Sequence, residues 1–288
     1  MHARVGYNSS MKYIGPAIKY GLHNLKYMLP FVVLPAMFIG VFTRPFCLSN
    51  YLYAYPNMSV NNYMDIFGAF FNFSWQNIVL TALGFLLVVM VMTLLHGFIE
   101  RHMRTGKFSI HEASSIINGN ILAVGLCSLF IIVLYMVCMI ILSLVVFWLH
   151  LLISGLGNVP TLFNVAVVYA LGVLVSVGFI RLAMQMYLAI PEVISTGYSF
   201  NACLSEVGDK MNRSSFGIWL AYVLPLFVHI PVLVLSNGYW WCRIILFVLM
   251  TLYMVYYLSL TYVVYFAISG FSRVDYDTHL MLFRRKLK

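Results

Sequence analysis

Residues 108–153 read FSIHEASSIINGNILAVGLCSLFIIVLYMVCMIILSLVVFWLHLLI, and this run decides the fold class. It opens on a polar turn in which Ser109 precedes Glu112 by three residues, the spacing of a capping box. It passes Asn118-Gly119-Asn120 and then stays apolar for longer than the roughly 18 residues that mark a helical membrane span. After Glu112 the next formally charged side chain is Arg181, and His150 alone interrupts the stretch between them. Two hydrophobic crossings and their connection fit in that interval. The unit reads as a short arm followed by a membrane hairpin.

Composition agrees. Of 288 residues, 62% are hydrophobic and 9% charged, with a mean hydropathy of +0.92, whereas soluble domains carry about 25% charged residues. An outer-membrane barrel would need alternating segments of roughly ten residues between turns; here the apolar runs are unbroken. The chain reads as an all-α, polytopic helical membrane protein. Its net charge of +9 does not mark a nucleic-acid binder, because the basic residues are dispersed and recur at the ends of apolar spans. The first apolar run starts near Tyr27 with no small-residue cleavage site after it, so that span is expected to be retained.

Six spans are expected, at about 27–42, 78–99, 121–147, 162–190, 216–235 and 244–268. Ahead of the first, residues 1–26 form a basic arm. Pro16 suits a first helical position; Ile14, Ala17, Ile18, Gly21, Leu22, Leu25 and Leu29 then share one face, with Lys12, Lys19, His23 and Lys26 on the other. Such a helix is expected to lie among anionic headgroups. Pro30 and Pro35 kink span one, and the aromatic stretch between spans one and two, with its single acid Asp65, is expected to be a loop on the outer surface. Arg101, Arg104 and Lys107 close span two as further headgroup contacts. Span three, if helical to His150, would be about 45 Å long, so it must tilt, or its end must bend along the interface.

Gly172 and Ser176 in span four are a small-xxx-small pair suited to close helix approach, and Pro191 is expected to mark the exit. Two more cytoplasmic arms are expected, at about 108–118 and 199–213. In the latter, Phe200, Cys203, Leu204, Val207 and Met211 form an apolar stripe, with Glu206, Asp209, Lys210 and Arg213 off it. Pro225 and Pro231 flank His229 in span five and favour a broken helix. The tail, 271–288, ends in a basic run containing Arg284 and Arg285, also read as headgroup contacts.

With both termini cytoplasmic, fifteen of the Lys and Arg residues fall inside and two, Arg44 and Arg243, outside. That asymmetry is the positive-inside pattern. Aligning the arms on Ile14, Ile110 and Phe200 gives intervals of 96 and 90 residues, which reads as three arm-plus-hairpin units. The segments SIHEASSIINGNILAVGLCSLFIIV and YLAIPEVISTGYSFNACLSEVGDKMNRSSFGIWLAYVLPLFV resemble the membrane domain attached to some bacterial glycerophosphodiester phosphodiesterases and related multi-pass bacterial proteins. The resemblance implies a six-helix module in a bacterial cytoplasmic membrane. It lacks the phosphodiesterase half, so no catalytic residue carries over.

Ionisable side chains at membrane depth are the candidate site. His229 is best placed; Arg181 and Gln185 share one face of span four, where the guanidinium could clamp an anion. His96 and Glu100 stand four apart on span two, too few ligands for a metal site. Cys47 and Cys242 both fall on the expected outer side as a candidate disulfide; the five cysteines include no CxxC pair. With no phosphate loop, nucleophile arrangement or paired carboxylates, no catalytic residue, cofactor or metal is assigned. The first reading is a non-enzymatic scaffold or accessory subunit that contacts membrane lipids and partner subunits. The alternative is a small-molecule or lipid transporter with a cavity near His229 and Arg181.

Overall fold

The computed structural model describes residues 11–38, 50–52, 60–71, 75–106, 113–155, 161–211, 215–236, 239–271 and 273–274. Among them every regular element is a helix: α1 (Met11–His23), α2 (Leu25–Met37), α3 (Tyr63–Phe70), α4 (Trp75–Thr105), α5 (Ala113–Gly155), α6 (Thr161–Thr196), α7 (Phe200–Met211), α8 (Ser215–Val223), α9 (Leu226–Leu235) and α10 (Trp240–Ser269). Five stretches are long and apolar enough to cross a membrane: Ile78–Thr105, Ala113–Ile153, Phe163–Thr196, Phe216–Leu235 and Trp240–Ser269. The expected first span is represented by α2, whose 13 residues reach only about 20 Å.

At the axis stands α10. From Leu258 to Phe266 every residue is buried, the signature of a helix with neighbours all round. Around it pack Ala17 of α1, Met28 and Val32 of α2, Leu95 of α4, Leu188 of α6, Val207 of α7 and Ile218 of α8. Exposed Trp75, Trp148 and Trp240 lie at one end of the bundle, the arrangement of an interfacial aromatic belt. At the other end α4, α6 and α10 each stop at a left-handed glycine, Gly106, Gly197 and Gly270 (φ 70–71°), a conformation that other residues adopt only with strain.

Several expectations need correction. The second arm is not a separate helix. Residues 113–118 are the first turns of α5, which runs for 43 residues because Asn118-Gly119-Asn120 offers no proline to stop it; Ser109 and Glu112 lie outside the described residues. Pro191 does not end span four. Buried Leu188, Ala189 and Ile190 hold α6 together through it as far as Thr196. In α1 the helix starts before Pro16, at Met11; its buried residues are Ala17, Tyr20 and Gly21, with Gly21 against Val255 and Ser259 of α10, while Ile18 and Leu22 face outward. The arm thus docks on protein as well as exposing Lys12, Lys19 and Lys26. In α7 the stripe is as read, with Cys203, Val207 and Met211 buried, but it seats on the bundle instead of lying free at an interface.

The aromatic stretch between the first two expected spans contains α3. Asn62 Oδ1 accepts from the Asp65 amide (3.2 Å) and Asp65 Oδ2 accepts from the Asn62 amide (3.0 Å), a reciprocal cap that starts the helix. Ile66 and Phe70 are buried with Met139 and Leu142 of α5, and the Tyr63 and Ser143 hydroxyls meet at 3.0 Å. Close helix approach occurs at Gly97, where a Cβ would stand 2.2 Å from Ile116 Cγ2. In the Gly172/Ser176 pair, Ser176 Oγ donates to the Gly172 carbonyl (2.7 Å).

The break at Pro225 organises span five. Proline has no amide proton, so α8 ends with the carbonyls of Ala221 and Tyr222 to be satisfied away from water. Tyr256 Oη donates to the Ala221 carbonyl (2.8 Å) and Tyr257 Oη to the Tyr222 carbonyl (2.9 Å). Tyr256→Phe should therefore cost about 1–3 kcal/mol in detergent unfolding, the penalty of an orphaned buried acceptor. In a Pro225→Ala background the restored amide can take the Ala221 carbonyl, so the same substitution should cost clearly less; equal costs in the two backgrounds would refute this account.

Candidate functional site

Between α4, α5, α6, α8, α9 and α10 lies a cavity of about 440 Å³. That is within the roughly 300–1,000 Å³ range of small-molecule sites. It extends along α6 from Ser176 to Ile190, about 20 Å at 1.5 Å per residue. Its walls are chiefly apolar: Phe85, Val88 and Met92 from α4, Val124, Ile131 and Met139 from α5, Phe179 and Ala183 from α6, and Met250 and Leu258 from α10. None of the lining residues is Asp, Glu, Lys or Arg.

His229 lines one end, its ring edge-on to Tyr253 at a centroid distance of 5.6 Å. The kink at Pro225 and the turn of helix that follows it position that ring. Arg181 and Gln185 do not join it. On α6 the lining positions are 176, 179, 180, 183, 184, 187 and 190, so residues 181 and 185 lie on another face. The cavity therefore unites His229 with His96, read in the sequence only beside Glu100, and with residues that sequence reading did not single out.

His96 lines the other end and is only 2% exposed. Tyr262 Oη lies 2.7 Å from the His96 carbonyl and 3.3 Å from its Nδ1. Glu100, expected beside His96, pairs instead with Arg104, which also lies over the Phe271 ring at 5.0 Å. Nearby, Tyr222 Oη donates to Thr261 Oγ1 (2.8 Å), because the Thr261 hydroxyl is itself given to the Tyr257 carbonyl (2.7 Å). The hydroxyls of this wall are thus largely committed within the protein.

Just beyond the cavity's Ile190 end sits Glu192, a buried acid next to Pro191, the expected exit of span four. Lys210 Nζ reaches both its carboxylate oxygens (3.2 and 3.4 Å) and also Glu206 (2.8 Å), pinning α7 to α6. Burial pulls the Lys210 ammonium down, but hydrogen bonds to Glu206 and Glu192 outweigh it, and its pKa is raised. Burial likewise raises that of Cys203, a free thiol on the same helix. Cys242 is a buried free thiol, and its expected partner Cys47 lies outside the described residues, as do Lys107, Arg284 and Arg285. No protein-family model, curated protein or solved structure matches this chain.

Removing Lys210 alone would strand a buried carboxylate. Lys210→Met should lower stability by about 3–5 kcal/mol, and adding Glu192→Leu should recover most of that loss. Glu206→Gln should cost under about 1 kcal/mol, because that carboxylate is exposed. Since the folded pKa of Lys210 is raised, its contribution is complete below the unfolded value of about 10.4 and is lost only as pH rises through the folded value. Stability titrated between neutral and mildly alkaline pH should show no transition assignable to this residue.

Proposed function

We propose that this chain is a multi-pass membrane protein that binds a largely apolar small molecule of the lipid class within its helix bundle and handles it there. The single observation that supports this most strongly is the 440 Å³ cavity, about 20 Å long, uncharged and reaching His229. A scaffold or accessory subunit needs no space at its centre, and close packing there would have favoured that role. The absence of Asp and Glu from the lining speaks for an uncoupled binding or transfer role over ion-driven transport.

In this reading α2 supplies the first of six crossings and both termini are cytoplasmic. Support comes from the clustering of Arg101, Arg104, Lys210 and Arg273 at the end opposite the exposed tryptophans. Exposed Lys12, Lys19 and Lys26 would then meet anionic headgroups on the cytoplasmic side.

The test is extraction of the purified full chain from washed nanodiscs, followed by mass spectrometry of the retained lipid-class molecules. A retained species near one per chain is expected. Ala183→Phe, which puts a ring into the cavity from a buried lining position, should lower its occupancy by about tenfold. Retention indistinguishable from bulk lipid, or untouched by that substitution, would sink the proposal.

A further inference from the structure

The polar end of the cavity carries an assignment of its own. Tyr262 has one O–H and gives it to the His96 carbonyl at 2.7 Å. Its oxygen can then meet His96 Nδ1, 3.3 Å away, only as an acceptor. The neutral imidazole must therefore carry its proton on Nδ1, which leaves Nε2 as a bare acceptor. That ring is 2% exposed and lines the cavity, and its Nε2 has no partner among the described residues.

An acceptor in apolar surroundings is costly unless a donor reaches it. The donor cannot be an ionised carboxylate, which only accepts, and either a carboxylate or an ammonium would be a charge with no counter-charge, since no charged residue lines the space. A hydroxyl meets both conditions. The remainder of the slot is long and apolar, and it continues to His229 and Tyr253.

We infer that the ligand is a neutral single-chain amphiphile, held with its hydroxyl donating to His96 Nε2 and its tail lying along the slot toward His229. This rests on the ligand-binding reading above and adds the head group and the direction. Tyr262 acts as a positioning residue, fixing the tautomer that makes Nε2 the acceptor.

A long-chain alcohol with a diazirine near the end of its tail tests this on the full chain in phosphatidylcholine nanodiscs. After photolysis the label should map to peptides containing His229 or Tyr253. Unlabelled hexadecanol should compete about tenfold better than its methyl ether, the worth of one hydrogen bond, and also better than palmitate. His96→Leu should abolish the preference for the alcohol while leaving competition by the ether. If alcohol and ether compete equally in the unaltered chain, or palmitate matches the alcohol, the head-group assignment is wrong although labelling persists. Label mapping to Met92 or Thr261 would reverse the orientation and overturn the inference. Absence of labelling, or labelling indifferent to Ala183→Phe, would instead remove the binding reading beneath it.

Discussion

Inside a bilayer each backbone polar group must find its partner within the protein. The bundle is arranged around a place where a helix cannot supply its own, the break at Leu224 and Pro225. The tyrosines of α10 supply it. Tyr256 and Tyr257 are consecutive, so their hydroxyls reach the consecutive carbonyls of Ala221 and Tyr222. That requirement fixes the rotation of α10 against α8. Once the rotation is set, Tyr262 points to His96 and Tyr265 to Ser195. One turn's worth of lost helix bonding thereby specifies how the axial helix meets three of its neighbours.

The same break borders the cavity. The kink divides Phe216–Leu235 into α8, which packs on α6 and α1 and is joined to α10 through the Tyr256 and Tyr257 hydroxyls, and α9, which packs along α10. The cavity lies beside this bend, with Tyr222 from α8 and His229 from α9 both on its wall. At its far end the gap is bounded by Met139 and Val234, which belong to or pack on the cluster that α3 completes. At the near end α7 is tied down by Lys210. Short helices outside the main crossings thus pack behind lining residues at both ends without lining the cavity themselves.

Features that depend on neighbours in sequence were readable before the fold was known. The apolar run of α5, the buried stripe Cys203/Val207/Met211 and the proline break beside His229 all follow from local periodicity or from proline chemistry. The cap of α3 was equally local: Asn62 followed at three residues by Asp65 differs from the commoner capping-box pattern only in residue type. What could not be read is long-range pairing. Tyr262 and His96 are 166 positions apart, and nothing near either one announces the other. Arg181 misled for the complementary reason, because charge at depth marks a residue without saying which face of its helix opens on a cavity. The best unread signal was in α10 itself, where Tyr, Ser and Thr recur within an otherwise apolar helix, the mark of one joined to others by hydrogen bonds.

That hydroxyl-rich helix also shows why residue type alone misjudges the cavity. Counted by composition, a wall with Tyr222, Tyr257 and Thr261 would be a polar lining suited to water and ions. Followed proton by proton it is the opposite. Tyr257 gives its proton to Tyr222, Tyr222 to Thr261 and Thr261 to the Tyr257 carbonyl, so the hydrogens close upon the protein and the rings are left to face the space. A polar solute would have to displace backbone bonds to be recognised there, at the cost of orphaning carbonyls in a medium that cannot resolvate them. An apolar one displaces nothing. Tyr257, one of the two tyrosines that satisfy the broken helix, is therefore also part of what leaves this wall of the cavity apolar in character.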